Sequence, residues 1–127
     1  MRIWVLALAL TPALSVASDE RMDTLAARQL ASAQSAAGAA YARRAQAVIL
    51  QNFRFLNECV SKIRGVLHVK VYFEVDLDGS VAQSVASSSN PEADCVAAQI
   101  KTLRFPAAPA GFVGLAEWAF GPATTPN

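Results

Sequence analysis

The sequence predicts an α+β domain of order αββαβ, in which two helices cover one face of a three-stranded antiparallel sheet. Two observations predict this class. Apolar and polar residues alternate strictly over residues 67–76, which is typical of a half-buried strand. Apolar residues recur every three or four positions over residues 48–63, which is typical of a helix. The 127 residues leave room for one such domain, preceded by a signal peptide and an alanine-rich spacer.

Residues 1–18 have the features of a secretory signal peptide. Arg2 supplies a positive start, residues 3–16 are almost wholly uncharged and apolar, and small residues at 15–17 suit signal peptidase. A helix over residues 3–16 would reach about 21 Å, short of the roughly 30 Å of a bilayer core. We expect cleavage after Ala17 or Ser18 and a periplasmic or secreted protein. An uncleaved membrane anchor is the alternative.

Residues 19–47 are rich in alanine, serine and glutamine. Their large apolar side chains are few: Met22, Leu25, Leu30 and Tyr41. Alanine favours helix, but a helix without a broad apolar stripe gains little tertiary support. We predict a marginal helical or flexible spacer that breaks near Gly38, since glycine in a helix costs about 1 kcal/mol relative to alanine.

The predicted domain spans residues 48–122 and begins with a helix running to about Lys62, ended by Gly65. Its apolar face comprises Val48, Ile49, Phe53, Leu56, Val60 and Ile63, with Cys59 nearby. The first strand follows, with one face expected to be buried and the other solvated. Asp78 and Gly79 tolerate positive φ and predict a hairpin to a weaker strand over residues 80–87.

The second half of the domain comprises a loop, a helix and a closing strand. Asn90 is a favourable N-cap and Pro91 a favourable first helical residue. The inward side of this helix is marked by Val96, Ile100 and Leu103. Pro106 and Pro109 prevent its continuation. A last strand covers residues 113–120, beside the first strand or, alternatively, beside the second, and in either case at a sheet edge. Residues 123–127 are expected to form a disordered tail.

Cys59 and Cys95 are the two cysteines of the chain. In an oxidising compartment an even count favours a disulfide, and two cysteines allow one pairing. The bridge would join the two predicted helices and stabilise the fold by on the order of 3–4 kcal/mol in the chain-entropy treatment. Two buried thiols that act as small hydrophobic residues are the alternative.

These features, in this order, resemble the AgmX/PglI C-terminal domain family, a branch of the TonB C-terminal-like fold, over residues 48–120. The residues that carry the resemblance are Cys59, the run GVLHVKVYF at 65–73, the turn DGSV at 78–81, the serines 87–89, Cys95, Arg104-Phe105-Pro106 and the aromatic strand to Phe120. The resemblance implies a periplasmic αββαβ domain with one disulfide, related to proteins that link an inner-membrane motor to outer-membrane partners. Val60 and Arg64 depart from an aromatic residue and a proline that members often carry.

The chain offers few residues for catalysis or metal binding. His68 is the one histidine and falls on the polar side of its strand, and one histidine with two bridged cysteines is too few for zinc. Asp76 and Asp78 lack the other ligands of a calcium loop. The serines at 87–89 lack a paired base. We therefore expect no enzymatic activity and no cofactor.

A formal net charge of +1 gives no reason to expect nucleic acid, and membrane is expected only if the N-terminal segment is retained. We expect a protein or peptide of the cell envelope as the partner, with a role in transport. It would pair with the edge strand at Leu115, Ala116, Glu117, Trp118, Ala119 and Phe120. The alternative is a structural or envelope-associated protein of a peptidoglycan or motility complex, without peptide capture. An energy-transducing role would require an uncleaved anchor.

A cationic helix face is a further possibility for binding. It would be formed by Arg43, Arg44, Arg54, Lys62 and Arg64. Such a face could dock on acidic groups of the envelope, although a solvated helix surface explains the same charges without any partner.

Overall fold

The computed structural model describes residues 21–61, 67–87 and 90–120. The predicted signal peptide, the helix end at Gly65 and the predicted tail lie outside the described residues. Within them, the chain is α+β with a three-stranded antiparallel sheet, which confirms the predicted class. None of the helices in this part of the chain is long and apolar enough to cross a membrane.

The described chain contains four helical segments and three strands. They are α1 (residues 21–34), α2 (Ala36–Gln51), α3 (Phe53–Glu58), β1 (Leu67–Val75), β2 (Val81–Ala86), α4 (Pro91–Lys101) and β3 (Val113–Phe120). The strand order is β2-β1-β3, so β1 is central and β2 and β3 are the two edges. The β1–β3 ladder runs in unbroken register from Leu67 opposite Phe120 to Glu74 opposite Val113.

One face of the sheet packs on α2, α3 and α4 and forms the main core. Val69, Val71 and Val75 of β1 are fully buried there. The helices contribute Tyr41, Ala45, Ile49, Leu56, Val96 and Ile100. Phe73 stacks on Phe105 with ring centroids 5.5 Å apart. This face is the apolar side that the alternation of β1 predicts.

The opposite face of the sheet is covered by α1, which corrects the prediction that it is solvated. Leu25 of α1 packs with Tyr72 and Val113 in a second, smaller cluster, and all three are buried. The Arg28 guanidinium also forms an ion pair with the Glu74 carboxylate. Residues 21–47 therefore pack against the sheet instead of forming a spacer, because Tyr41 and Ala45 of α2 are buried as well.

The helix break near residue 38 lies at Ser35 and not at Gly38. The Ser35 hydroxyl accepts a hydrogen bond from the Gly38 amide at 3.0 Å and so caps the N-terminus of α2. Gly38 is buried against the Ser32 carbonyl, which a Cβ at that position would overlap. Gly38 therefore permits the close approach of α1 and α2 and does not end a helix.

The single helix predicted over residues 48–62 is wrong in two respects. Its first residues belong to α2, which begins at Ala36, and the chain breaks at Asn52 before α3. The Asn52 side-chain amide donates to the Val48 carbonyl at 2.8 Å, a local bond that competes with helix continuation. The break turns Phe53 out of the core face, and its side chain is 37% exposed.

The predicted hairpin and helix cap are present. Gly79 has φ +90°, and the Asp78 carboxylate accepts from the Ser80 amide at 3.0 Å. Asn90 caps α4 by accepting from the Ala93 amide at 2.7 Å. Cys59, directly after α3, forms a disulfide with Cys95 of α4, with a Cα–Cα distance of 5.6 Å. The predicted pairing of the cysteines is therefore confirmed.

Candidate strand-pairing edge

Every second residue of β3 directs its backbone amide and carbonyl away from β1, towards the outside of the sheet. The hydrogen bonds of β1 show which residues these are. Val75 of β1 donates its amide to the Phe112 carbonyl at 3.1 Å, whereas Lys70 accepts from Ser87 after β2 at 2.8 Å. Odd-numbered residues of β1 therefore bond towards β3, and even-numbered residues bond towards β2.

This alternation identifies the outward groups of β3. Gly114, Ala116 and Trp118 lie opposite Phe73, Val71 and Val69, so their amides and carbonyls face β1. The amides and carbonyls of the intervening residues point outward at the edge: Val113, Leu115, Glu117 and Ala119. These outward groups are those to which another strand could bond.

At one end of this edge, the first outward amide is already hydrogen-bonded to a side chain of α1. The Ser32 hydroxyl accepts a hydrogen bond from the Val113 amide at 3.1 Å. Within residues 21–61, 67–87 and 90–120, no hydrogen bond reaches the outward amides of Leu115, Glu117 or Ala119. The open part of the edge therefore begins at Leu115.

A groove runs between α2 and β3 on the core side of this edge. Its volume is about 380 Å³. Ala42, Gln46 and Leu50 line it from α2, and Ala116 and Trp118 line it from β3. Leu50 is 57% exposed, so the groove offers apolar surface to a ligand.

Small residues produce the groove. Gly114 has no side chain, and the Phe73 ring lies directly against it, where a Cβ would overlap the ring. Ala42 and Ala45 present only methyl groups from α2. Because Gly114 has no side chain and Ala42 and Ala45 carry only methyl groups, space remains between the helix and the edge strand.

The charges at the groove come from different elements. Arg43 lines it from α2, a helix whose sequence contains two arginines and no acidic residue. Glu117 is exposed and lies opposite Lys70, so its side chain belongs to the face of the sheet that α1 covers in part. Among the described residues, the one ion pair joins Arg28 to Glu74, so Arg43 and Glu117 form none there.

The other edge of the sheet, β2, is shorter and less regular than β3. The strand β2 has six residues, and its register with β1 shifts between Glu74 and Val75, which marks a bulge. The Lys101 ammonium donates to the Val81 carbonyl at 2.6 Å. A short, bulged strand with a lysine beside it is the usual protection of a sheet edge.

The residues predicted for partner binding divide into three kinds. Leu115, Glu117 and Ala119 present backbone groups to the edge, and Leu115 and Glu117 also line the groove. Ala116 and Trp118 line the groove, with their backbone groups facing β1. Phe120 pairs with Leu67 at the end of β3. Sequence reasoning missed Ser32 and the α2 wall, although the four-residue spacing of positions 42, 46 and 50 marks one face of a helix.

The polar residues elsewhere have local roles. His68 is exposed, as its alternation predicts. The Ser80 hydroxyl and amide, which donate to Asp78, lower the pKa of that carboxyl, so this aspartate acts in the turn. Burial raises the pKa of Tyr41, whose hydroxyl donates to the Pro106 carbonyl at 2.6 Å. No group of three metal-ligating side chains occurs within the part of the chain that the structure describes.

The candidate site thus consists of the outward backbone of β3 from Leu115 to Ala119 and the adjoining groove beneath α2. It contains no arrangement of a nucleophile with a base among the described residues, and its chemistry is that of hydrogen bonding and apolar contact. Comparison of the chain with protein-family models, with curated proteins and with solved structures finds no match.

Proposed function

We propose that this chain is a non-enzymatic protein-interaction domain of the cell envelope, periplasmic or secreted, that binds an extended segment of a partner next to β3. The partner segment becomes a fourth strand of the sheet. The observation that carries the proposal is the set of outward amides at Leu115, Glu117 and Ala119, which have no partner among the described residues.

The energetics of strand addition suit this edge. Each backbone group that a partner satisfies contributes on the order of 0.5–1.5 kcal/mol net. Backbone bonds alone give little specificity, and in strand-addition complexes the side-chain pockets beside the edge supply it. The groove beneath α2 provides such a pocket directly next to the strand.

Three observations bear on the compartment and the process. A disulfide between Cys59 and Cys95 is compatible with an oxidising compartment such as the periplasm. The signal-peptide pattern of residues 1–18 favours export. The resemblance to the AgmX/PglI C-terminal domains and the TonB C-terminal-like fold favours a role in transport across the envelope. An energy-transducing role would further require that residues 1–18 remain as an anchor.

Proline at Glu117 tests strand addition directly. The Glu117 amide points outward, so Glu117→Pro removes an edge donor without removing a bond to β1. Glu117→Ala is the matched control, because it removes the same side chain and keeps the amide. Each protein is immobilised and exposed to periplasmic extract of the source cells, after circular dichroism has established that the variants are folded.

We expect the wild type and Glu117→Ala to retain the same specific protein and Glu117→Pro to lose it. Amide hydrogen exchange of the wild type in the recovered complex should then slow at Leu115, Glu117 and Ala119. Retention of the protein by Glu117→Pro would contradict strand addition. Capture of no specific protein by any variant would favour a structural role in the envelope instead.

A further inference from the structure

We propose that α2 selects the sequence of the captured segment, an inference that rests on the proposed function. The favoured segment carries apolar side chains at alternate positions and an acidic side chain on the same face, which pairs with Arg43. The occupant of the groove is thus an extended, amphipathic, acidic peptide of a partner protein.

The alternation follows from strand geometry. Successive side chains of a strand point to opposite faces of the sheet, so every second side chain of a segment beside β3 faces α2. Those side chains enter the groove beside Ala116 and Trp118. A volume of about 380 Å³ falls within the range of pockets that bind small molecules, roughly 300–1,000 Å³, so apolar side chains can be accommodated there.

The acidic preference follows from the charge of the helix wall. Arg43 lines the groove, and α2 supplies no carboxylate to neutralise it. Glu117 of β3 also lines the groove, but its side chain lies on the opposite face of the sheet, because Glu117 is paired with Lys70 and not with a core residue. A carboxylate of the segment that faces α2 therefore meets a guanidinium, whereas an ammonium at the same position is repelled.

The length and position of the segment follow from the closed end of the edge. The Val113 amide already donates to the Ser32 hydroxyl, so pairing with a partner segment begins at Leu115. The outward positions from Leu115 to Ala119 are matched by a segment of about five residues, since paired strands advance at the same rate along the ladder. A carboxylate at a position of the segment that faces α2 lies on the same side of the sheet as Arg43.

Two synthetic peptides test the inference on the full exported chain. Both are capped heptapeptides in which serine and valine alternate, with serine first and last, so that the fourth residue is a valine. This central valine is replaced by glutamate in one peptide and by lysine in the other. Binding is followed by titration of the amide resonances of Leu115, Glu117 and Ala119. We expect the glutamate peptide to bind the wild type about five- to tenfold more tightly than the lysine peptide, as for a partly exposed ion pair.

Arg43→Glu should reverse this preference, so that the lysine peptide binds more tightly. Arg44→Glu is the matched control, since it makes the same charge change on the neighbouring residue, which does not line the groove. It should leave the glutamate peptide preferred. An equal shift by Arg44→Glu and Arg43→Glu would show that net charge governs binding, and it would overturn the assignment to the groove.

Glu117→Pro separates the two proposals. If it abolishes binding of both peptides while Arg43→Glu leaves their order unchanged, strand addition stands and selection by α2 fails. If both peptides bind Glu117→Pro as they bind the wild type, strand addition itself fails. A peptide-free protein that sediments as a dimer, and as a monomer after Glu117→Pro, would identify a second copy of the chain as the occupant and overturn the acidic-peptide assignment.

Discussion

The two edges of the sheet are built in opposite ways. The strand β2 is short and bulged, and Lys101 donates to its Val81 carbonyl. The strand β3 keeps an unbroken eight-residue register with β1, and its outward amides from Leu115 onward have no partner among the described residues. Because bulges and flanking lysines hinder pairing at a sheet edge, we expect a partner strand to add to β3 in preference to β2.

The helices beside the two edges also differ in how closely they pack on the sheet. The helix α4 packs over β2 and β1 and is tied by the Cys59–Cys95 disulfide to the end of α3. The helix α2 makes fewer contacts with β3 and leaves a groove between them. The β2 edge therefore lies on the covalently restrained side of the molecule, and the β3 edge lies on the side that has room for a ligand.

The largest expected effect comes from removal of the disulfide. The double variant Cys59→Ser/Cys95→Ser opens a loop with a sequence separation of 36, and we expect it to lower the free energy of unfolding by about 3–4 kcal/mol. Denaturant titration under non-reducing conditions measures the loss. The hydrogen exchange of β2 should accelerate more than that of β3, because α4 covers β2.

Wild-type protein treated with a reductant is the control for the disulfide variant, since it loses the same cross-link without a change of residue. Both should unfold at the same denaturant concentration. An unfolding midpoint equal to that of oxidised wild type would contradict a stabilising role of the bridge.

The next largest effect concerns the turns that lead into the two edge strands. Gly79 precedes β2 with φ +90°, and a Cβ there would overlap the Phe105 carbonyl. Gly111 precedes β3 with φ +73°, but the nearest atom to its Cβ would be an Arg28 nitrogen at 3.9 Å. We expect Gly79→Ala to cost more than about 2 kcal/mol, since overlap adds to backbone strain.

Gly111→Ala is the matched control for Gly79→Ala. Its alanine would have the strain of a positive φ but no steric overlap, so the free energy of unfolding should fall by about 1 kcal/mol. Thermal unfolding of both variants gives the comparison. Equal losses would mean that the approach of Phe105 to the first turn adds nothing to the strain, and that both edges are entered through equivalent turns.

Much of the fold was predictable where local signals agree with the tertiary structure. The alternation of β1, the positive-φ turn at Gly79 and the cap at Asn90 each act within a few residues, and each is found where the sequence predicts it. The pairing of Cys59 with Cys95 was predictable because two cysteines allow one bridge.

The parts that escaped prediction depend on contacts distant in sequence. The apolar periodicity across Asn52 continues through a break between α2 and α3, so the apolar pattern does not reveal it. The Asn52 side chain, which donates to the Val48 carbonyl, marks the break. The helix α1 has few large apolar side chains. Leu25 is buried because Tyr72 and Val113, which are distant in sequence, pack against it. The edge position of β3 was predictable, but its outward amides and the groove required the strand pairing and the placement of α2.

A smaller effect is expected at the β2 edge. Lys101→Met keeps most of the side chain but removes the ammonium that donates to the Val81 carbonyl, and we expect a loss of about 1 kcal/mol in the free energy of unfolding. Because a device that protects β2 is removed, sedimentation velocity should detect concentration-dependent association. Lys101→Arg retains a cationic donor and should remain monomeric. Association of both variants to the same extent would show that Lys101 does not protect this edge.

The smallest effect links the open edge to pH. The hydrogen bond from Arg28, with a further one from Gln83, lowers the pKa of Glu74 below its ordinary value of 4.5. A carboxyl whose pKa is lower in the folded state contributes stability above its unfolded pKa, and this contribution is lost as pH falls through the folded pKa. The free energy of unfolding should therefore fall below about pH 4.5, by at most about 1 kcal/mol, because Arg28 is partly exposed.

Glu74→Gln should remove this part of the pH dependence, and Arg28→Ala should remove most of it. Asp94→Asn, on the exposed side of α4, is a control that should leave it unchanged. Since Arg28 and Ser32 lie on the same helix, loss of the ion pair should also loosen the hydrogen bond from the Val113 amide to Ser32. Amide exchange at Val113 should then accelerate in Arg28→Ala. Unchanged exchange there would mean that Leu25 and Ser32 hold α1 at this end of the edge without the ion pair, and that protonation of Glu74 does not lengthen the open part of the edge.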